Sequence, residues 1–250
     1  MMPGRRPGTS RRTLRLLHTS DVHIGEDLTT GERLGGLRSV VDVAKGRSVD
    51  ALLIVGDLFD ESRVPEEQID DAIAELARLD IPTIITCGNH DALGPPSIHD
   101  RLVLSDAGEH IRFAAAPEGQ HMVFEEIELA VWSRGMVAHT PDNLPLEGYT
   151  PHPGDLWRVV LAHGHHVADA KEDAHRSSRI STAEIAALEC DYLALGHWHR
   201  FFDASAGGVA AFYSGSPSES GGSFASVNHI TLAAGRGARV ERIAIGDPGE

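Results

Sequence analysis

Cysteine, lysine, net positive charge and long apolar runs are all scarce in this 250-residue chain. Cys87 and Cys190 are its two cysteines, too few for a disulfide framework and better read as buried thiols in a reducing compartment, so the expected location is cytoplasmic. No stretch approaches the ~18 apolar residues of a membrane helix. The pair Arg11-Arg12 looks like the start of a twin-arginine leader, but Leu16 and Leu17 give way at once to His18, Thr19, Ser20 and Asp21. No membrane partner is expected. With 22 basic residues against 37 acidic ones, the net charge is −15. That balance excludes a protein that coats nucleic acid through many phosphate contacts, although it leaves room for a local basic groove.

What is present is enough for a globular core. Hydrophobic residues make up 41% and charged residues 24%, and a chain of this length buries roughly three-quarters of the surface it exposes unfolded. A disordered basic tail is expected over residues 1–12 and one domain over 13–250. Short apolar runs alternate with helix-like segments, the pattern of a layered α/β domain. Strands are expected at Leu14–His18, Ala51–Val55, Thr83–Thr86, Arg158–Ala162 and Asp191–Leu195, with a hairpin or edge pair over Met122–Phe124 and Ile127–Trp132. Helices are expected from Arg33 to Gly46 and from Pro65 onward, where Ile69, Ile73, Leu76 and Leu79 recur at helical spacing. Ser181 followed by Glu184 is a capping box. From Val209 to Ile245 only short β-like pieces between Gly and Ser clusters remain.

The chemistry lies just past the strand ends. Asp21 and His23 follow the first run, Asp57 and Asp60 the second in GDLFD, and Asn89, His90 and Asp91 the third in GNHD; His163 follows VVLA, and His197 and His199 follow LAL in GHWH. In open α/β sheets the carboxyl ends of strands face one crevice, so these residues converge there. Acids, an amide and imidazoles gathered without partners cost several kcal/mol to desolvate, and divalent metals would compensate. The oxygen and nitrogen set contains no thiolate, which suits manganese, iron, zinc or nickel and disfavours a structural zinc site. Its size exceeds one tetrahedral ion. Two metals about 3.5 to 4 Å apart would use it as a clamp for phosphoryl displacement.

These blocks, in this order, resemble the calcineurin-like metallophosphoesterases, whose pattern is D-x-H, G-D-x-x-D, G-N-H-D or -E, a lone His and G-H-x-H. The likeness spans about residues 14 to 217, and LHTSDVHIG, GDLFD and YSGSP (213–217) look most like the SbcD-type DNA-repair nucleases. The resemblance implies a four-layer αββα sandwich of two mixed β-sheets with the metal site at strand C-terminal ends. It implies that Asp21, His23, Asp57 and His199 hold one divalent metal, manganese first, and that Asp57, Asn89, His163 and His197 hold the other. It further implies that His90 meets the phosphate, that Asp60 orients its ring, and that a metal-bound hydroxide attacks phosphorus. His165 stands close enough to His163 to exchange roles with it after a small shift of the strand end.

The implied substrate is a phosphodiester, in a nucleic acid or a small nucleotide, with a phosphomonoester of a small substrate as the alternative. Arg63 and Arg200, each just after a metal block, are candidate phosphate contacts. After Ile245 no amphipathic segment suited to docking on a coiled-coil ATPase is evident, which separates the chemistry from a DNA-repair assembly. A non-catalytic scaffold of the same fold is disfavoured because no position of the five blocks is substituted. A serine hydrolase built on Ser214 or Ser216 is disfavoured because YSGSPSESGG lacks the G-x-S-x-G spacing. His18 reads as a structural strand residue, and His99, His110, His121, His139, His152, His175 and His229 as surface or satisfied positions.

Overall fold

The computed structural model describes residues 11–25, 30–169, 171, 173–218 and 224–245. Residues 1–10 of the expected tail lie outside the described residues. Arg11 and Arg12, assigned to that tail from sequence, are instead fixed: Arg11 forks onto Asp191 at 3.0 and 3.2 Å and lies 3.6 Å over the Trp157 ring, and Arg12 pairs with Asp50.

Fourteen strands and three α-helices follow among the described residues. The first half contains β1 (Leu14–Thr19), α1 (Thr30–Gly46), β2 (Ala51–Val55), α2 (Glu66–Leu76), β3 (Thr83–Thr86), β4 (Ile111–Ala114), β5 (Gln120–Phe124) and β6 (Leu129–Ser133). The second contains β7 (Trp157–His163), β8 (His165–Val167), β9 (Arg179–Ser181), α3 (Thr182–Ala187), β10 (Tyr192–Gly196), β11 (Phe201–Asp203), β12 (Ala211–Ser214), β13 (Ser226–Ala233) and β14 (Gly237–Ala244). One sheet has the order β14-β13-β1-β2-β3-β4 and the other β11-β12-β10-β7-β6-β5, while β8 and β9 form a small ribbon. Both large sheets are mixed. In each, four parallel strands form the body, β1 to β4 in one and β12, β10, β7 and β6 in the other; antiparallel β11 and β5 flank the second body on both sides, whereas in the first β13 and β14 join beside β1 and parallel β4 is the opposite edge.

Strand periodicity explains the layering. In β2 every residue is buried, yet Leu52 and Ile54 face the helices α1 and α2 while Ala51, Leu53 and Val55 face the second sheet. In β10, Tyr192 and Ala194 face that same intersheet core, and Leu193 and Leu195 turn to the outer side. A strand with two apolar faces must be central, because each buried Leu or Ile contributes about 1.5–3 kcal/mol only if both sides are covered. The outer helical layer on the second sheet is thin. It consists of α3 with a patch of Trp132, Tyr149, Trp198 and Tyr213 beside it, whereas two longer helices cover the first sheet. α3 starts on the expected capping box, with Glu184 N–H donating to Ser181 Oγ at 3.2 Å and Ser181 N–H to Glu184 Oε2 at 2.8 Å. Among the described residues no helix is long and apolar enough to cross a membrane.

The segment after Val209 is more regular than its sequence suggests. β13 and β14 are eight residues each, and β13 returns to pair antiparallel with β1. This return sets β13 beside β1, while YSGSP, just before it, lies against Asp21.

Candidate metal centre

Parallel pairing puts the C-terminal ends of β1, β2 and β3 side by side, and those of β7 and β10 opposite them. Each of the five blocks leaves one of these ends. The turns are tight enough to force unusual backbone: Asp21, His23, Asp57 and His197 have φ of 57°, 55°, 53° and 106°. Non-glycine residues in this region carry strain, which accumulates where the surroundings hold a side chain for a purpose. Close approach explains two of the glycines. A Cβ on Gly88 would collide with the Asp57 carboxylate, and one on Gly196 with the carbonyl of Val55.

The donors meet in two overlapping groups. His23 Nε2 lies 3.1 Å from His199 Nε2, and His199 Nε2 lies 3.7 Å from Asp21 Oδ1. On the other side Asn89 Oδ1 lies 3.1 Å from His163 Nε2 and 2.9 Å from His197 Nδ1. Asp57 stands between them, its Oδ2 3.2 Å from His163 Nε2 and 3.8 Å from His23 Nε2. Asp21, Asp57 and His163 are buried, whereas His197, His199 and Asn89 are half-buried and leave one side open. His165 is not in either group; its Nδ1 accepts from Trp198 Nε1–H at 3.3 Å.

Second partners set which nitrogen faces inward. His163 Nδ1–H donates to the carbonyl of Val55 at 2.9 Å, and His23 Nδ1–H donates to Asp60 Oδ1 at 2.8 Å. A neutral ring so held presents a bare Nε2 lone pair to the centre. Asp60 thus has two neighbours. Its carboxylate is closer to His23 than to His90, which it meets at 3.2 Å, while its carbonyl accepts from His90 Nδ1–H at 2.8 Å. The His90 ring is exposed and packs edge-on to His23 at 4.6 Å.

The arrangement suits cations. Asp57 Oδ2 is buried with no hydrogen-bond partner, and it, Asn89 Oδ1 and two imidazole lone pairs converge on one another. Electrostatics agree. Burial opposes charge on His163, but Asp57 outweighs it and raises its pKa to about 10; Asp57 is in turn lowered by His163 and His23 against the cost of its burial. His197 is lowered to about 3, by burial first and then by the charge on His163. Without cations His163 holds a proton against Asp57; a divalent ion taken up by the same donors would displace that proton and leave the bare Nε2 lone pair.

Asp91, the last residue of GNHD, has a part that its turn chemistry did not reveal. It is buried, and its carboxylate accepts from the backbone N–H groups of Gly88 at 2.6 Å, Leu58 at 2.8 Å and Asp57 at 3.2 Å. One side chain thus ties the second block to the third. Burial, then the charge of Asp57, raises its pKa. YSGSP supports the first block in the same way, since Ser216 Oγ–H donates to the carbonyl of Asp21 at 2.8 Å and Ser214 Oγ lies 3.1 Å from Ser20 Oγ. Both serines are buried struts, not nucleophiles. Cys87 is likewise buried, its thiol raised to about 12 by burial and then by Asp91, and its Sγ accepts from Met136 N–H at 3.1 Å. Arg63 and Arg200 are exposed, with Arg200 5.2 Å over the Trp198 ring.

Two stacked mixed sheets with an oxygen- and nitrogen-rich donor set at their strand ends define a metal-dependent phosphoester hydrolase. The chain belongs to the calcineurin-like phosphoesterase family, whose model matches residues 14–201. It is 23% identical over 240 residues to the SbcD component of the SbcCD nuclease from Bacillus subtilis, covering 82% of this chain and 61% of that protein. It is 24% identical over 237 residues to the Escherichia coli protein of the same name, covering 75% and 56%. The chain thus spans little more than half the length of these relatives. Among solved structures, a Thermus thermophilus protein superposes with a TM-score of 0.59 at 14% identity, covering 94% of this chain and 100% of that one. An archaeal phosphodiesterase does so at 0.53 and 15%, covering 93% and 100%.

Proposed function

We propose that this protein hydrolyses phosphodiesters, in a nucleic acid or a small nucleotide, with two divalent cations, manganese first. The observation that carries this reading is the orphaned, buried Asp57 Oδ2 between the two donor groups. Asp21, His23 and His199 would share one cation with Asp57, and Asn89, His163 and His197 the other. Bound there, the cations would polarise phosphoryl oxygens and lower the pKa of water.

The remaining steps belong to the chain's own groups. Val55 and Asp60 hold His163 and His23 with Nε2 inward. The Asp60 carbonyl accepts from His90 Nδ1–H, so His90 Nε2 gives up a proton to the leaving oxygen only from the imidazolium. Asp91 keeps the Asp57 and Asn89 turns in register. Arg63 and Arg200, exposed and just after their blocks in sequence, would meet a substrate phosphate. The diester preference is supported by relatives named as nucleases and by a structural neighbour described as a phosphodiesterase.

With manganese added, bis(p-nitrophenyl) phosphate is expected to be cleaved faster than p-nitrophenyl phosphate. Cleavage of the monoester alone would reject the diester reading.

A further inference from the structure

His139 belongs to none of the five blocks, yet the fold delivers it to their side. It lies six residues beyond the end of β6. Because β6 runs parallel to β7, this segment emerges at the edge that carries His163. The His139 ring lies 5.4 Å from that of His197, tilted by 42°. The ring is exposed, so it is open to a ligand.

Its orientation is built in. His139 Nδ1 is 2.9 Å from Ser178 Oγ, and Asn143 Nδ2–H donates to the same oxygen at 2.9 Å. Ser178 is fully buried with φ of 48°, a left-handed conformation that a serine rarely adopts. Its backbone is clamped from both sides: Ser178 N–H donates to Thr140 O at 3.0 Å, and Ser178 O accepts from His165 N–H at 2.8 Å. The hydroxyl has a single proton to give. The candidate acceptors are the His139 nitrogen and the sulfur of Met136 at 3.9 Å, and the nitrogen is both nearer and the stronger acceptor. Nδ1 therefore accepts, and the neutral ring carries its hydrogen on Nε2.

We infer that His139 is a substrate-contacting residue, donating Nε2–H to a non-bridging phosphoryl oxygen beside Asn89, His163 and His197, with Ser178 and Asn143 as positioning residues. This rests on the phosphoester-hydrolase reading of the centre. His90 would approach the same phosphoryl group from the His23 and Asp60 side, so the substrate is gripped between two imidazoles from different sheets.

The test uses the full chain loaded with manganese, with inorganic phosphate binding by calorimetry and bis(p-nitrophenyl) phosphate turnover as separate readouts. His139→Ala is expected to weaken phosphate binding and lower kcat/KM by about ten- to a hundredfold, the effect of losing a hydrogen bond to a charged group. Metal content should not change, Tm should fall by no more than the loss of the Ser178 hydrogen bond allows, His139→Gln should recover part of the loss in binding and turnover, and His121→Ala, on an edge strand, should behave as wild type. Ring nitrogen shifts should report the Nε2–H tautomer of His139 and move when phosphate is added. Unchanged phosphate affinity and kcat/KM in His139→Ala would overturn the inference, as would the Nδ1–H tautomer or loss of metal with the substitution. If wild type binds phosphate through His139 but cleaves no ester, the contact stands and the hydrolase reading falls. If wild type binds no phosphate yet cleaves the ester, the contact falls and the hydrolase reading stands.

Discussion

The two ends of the parallel strands use their polar groups in opposite ways. At the N-terminal ends, charges are paired: Asp191 receives the Arg11 fork and the Arg158 N–H at 2.9 Å, Asp50 receives Arg12, and Trp157 Nε1–H finds the carbonyl of Arg12 at 2.9 Å. At the C-terminal ends Asp57, Asn89, His163 and His23 point acceptors at one another, and four residues there have positive φ. One end spends its polar groups on stability, and the other keeps them unsatisfied for a ligand. Substitutions at the two ends should therefore separate folding from activity.

The largest effect is expected at Asp57. Asp57→Ala should lose bound metal, read by elemental analysis, and bring turnover below detection. Two ions retained in this variant would reject the bridging assignment. Next, His90→Ala should keep its metal and lose about 10²- to 10⁴-fold in turnover, the range of general acid catalysis. Metal lost along with activity would make His90 a structural part of the centre instead.

At the opposite end Asp191→Ala should cost about 1.5–3 kcal/mol in urea unfolding, the range for hydrogen bonds to charged groups, with kcat/KM within about twofold of wild type, near the noise of such assays. A comparable loss of activity would show that the two ends are coupled.

The smallest effect at neutral pH concerns His18, which lies between the ends with its Nδ1 2.9 Å from Tyr192 Oη. Burial lowers its pKa to about 3. Unfolded, the ring titrates near 6.5, so between these values the unfolded chain binds a proton that the folded chain refuses. Stability from this group is complete above pH 6.5, and it falls as pH drops toward about 3, by at most about 1.4 kcal/mol per pH unit. His18→Gln should flatten that part of the stability profile relative to wild type, and parallel profiles would show that another group is responsible.

Much of the centre could be read before folding because each donor follows a recognisable strand end. Asp21, His23, Asp57, Asn89, His197 and His199 needed only the apolar run before them and the glycine that lets the turn approach. His163 and His165 could not be separated that way, since both follow the same run. The pairing of Gly196 with His163 in register places His163 Nε2 at Asn89 and leaves His165 to Trp198. Asp91 was hidden because a turn aspartate and a buried clamp for four N–H groups, those of Asp57, Leu58, Phe59 and Gly88, have the same local sequence. His139 was hidden because no local pattern marks a loop that matters only through the strand next to its own.

The amino-acid order by itself determined the donor types, their placement after apolar runs, the two-sided burial of strands such as β2, and the start of α3. These are properties of near neighbours and of period, so they survive without long-range contacts. Only the tertiary structure decided that β13 returns to β1, that two sheets bring their donors to one edge, and which ring nitrogen faces inward. Those outcomes depend on partners such as Val55 for His163, Asp60 for His23 and Ser178 for His139, which lie 108, 37 and 39 residues away in the chain.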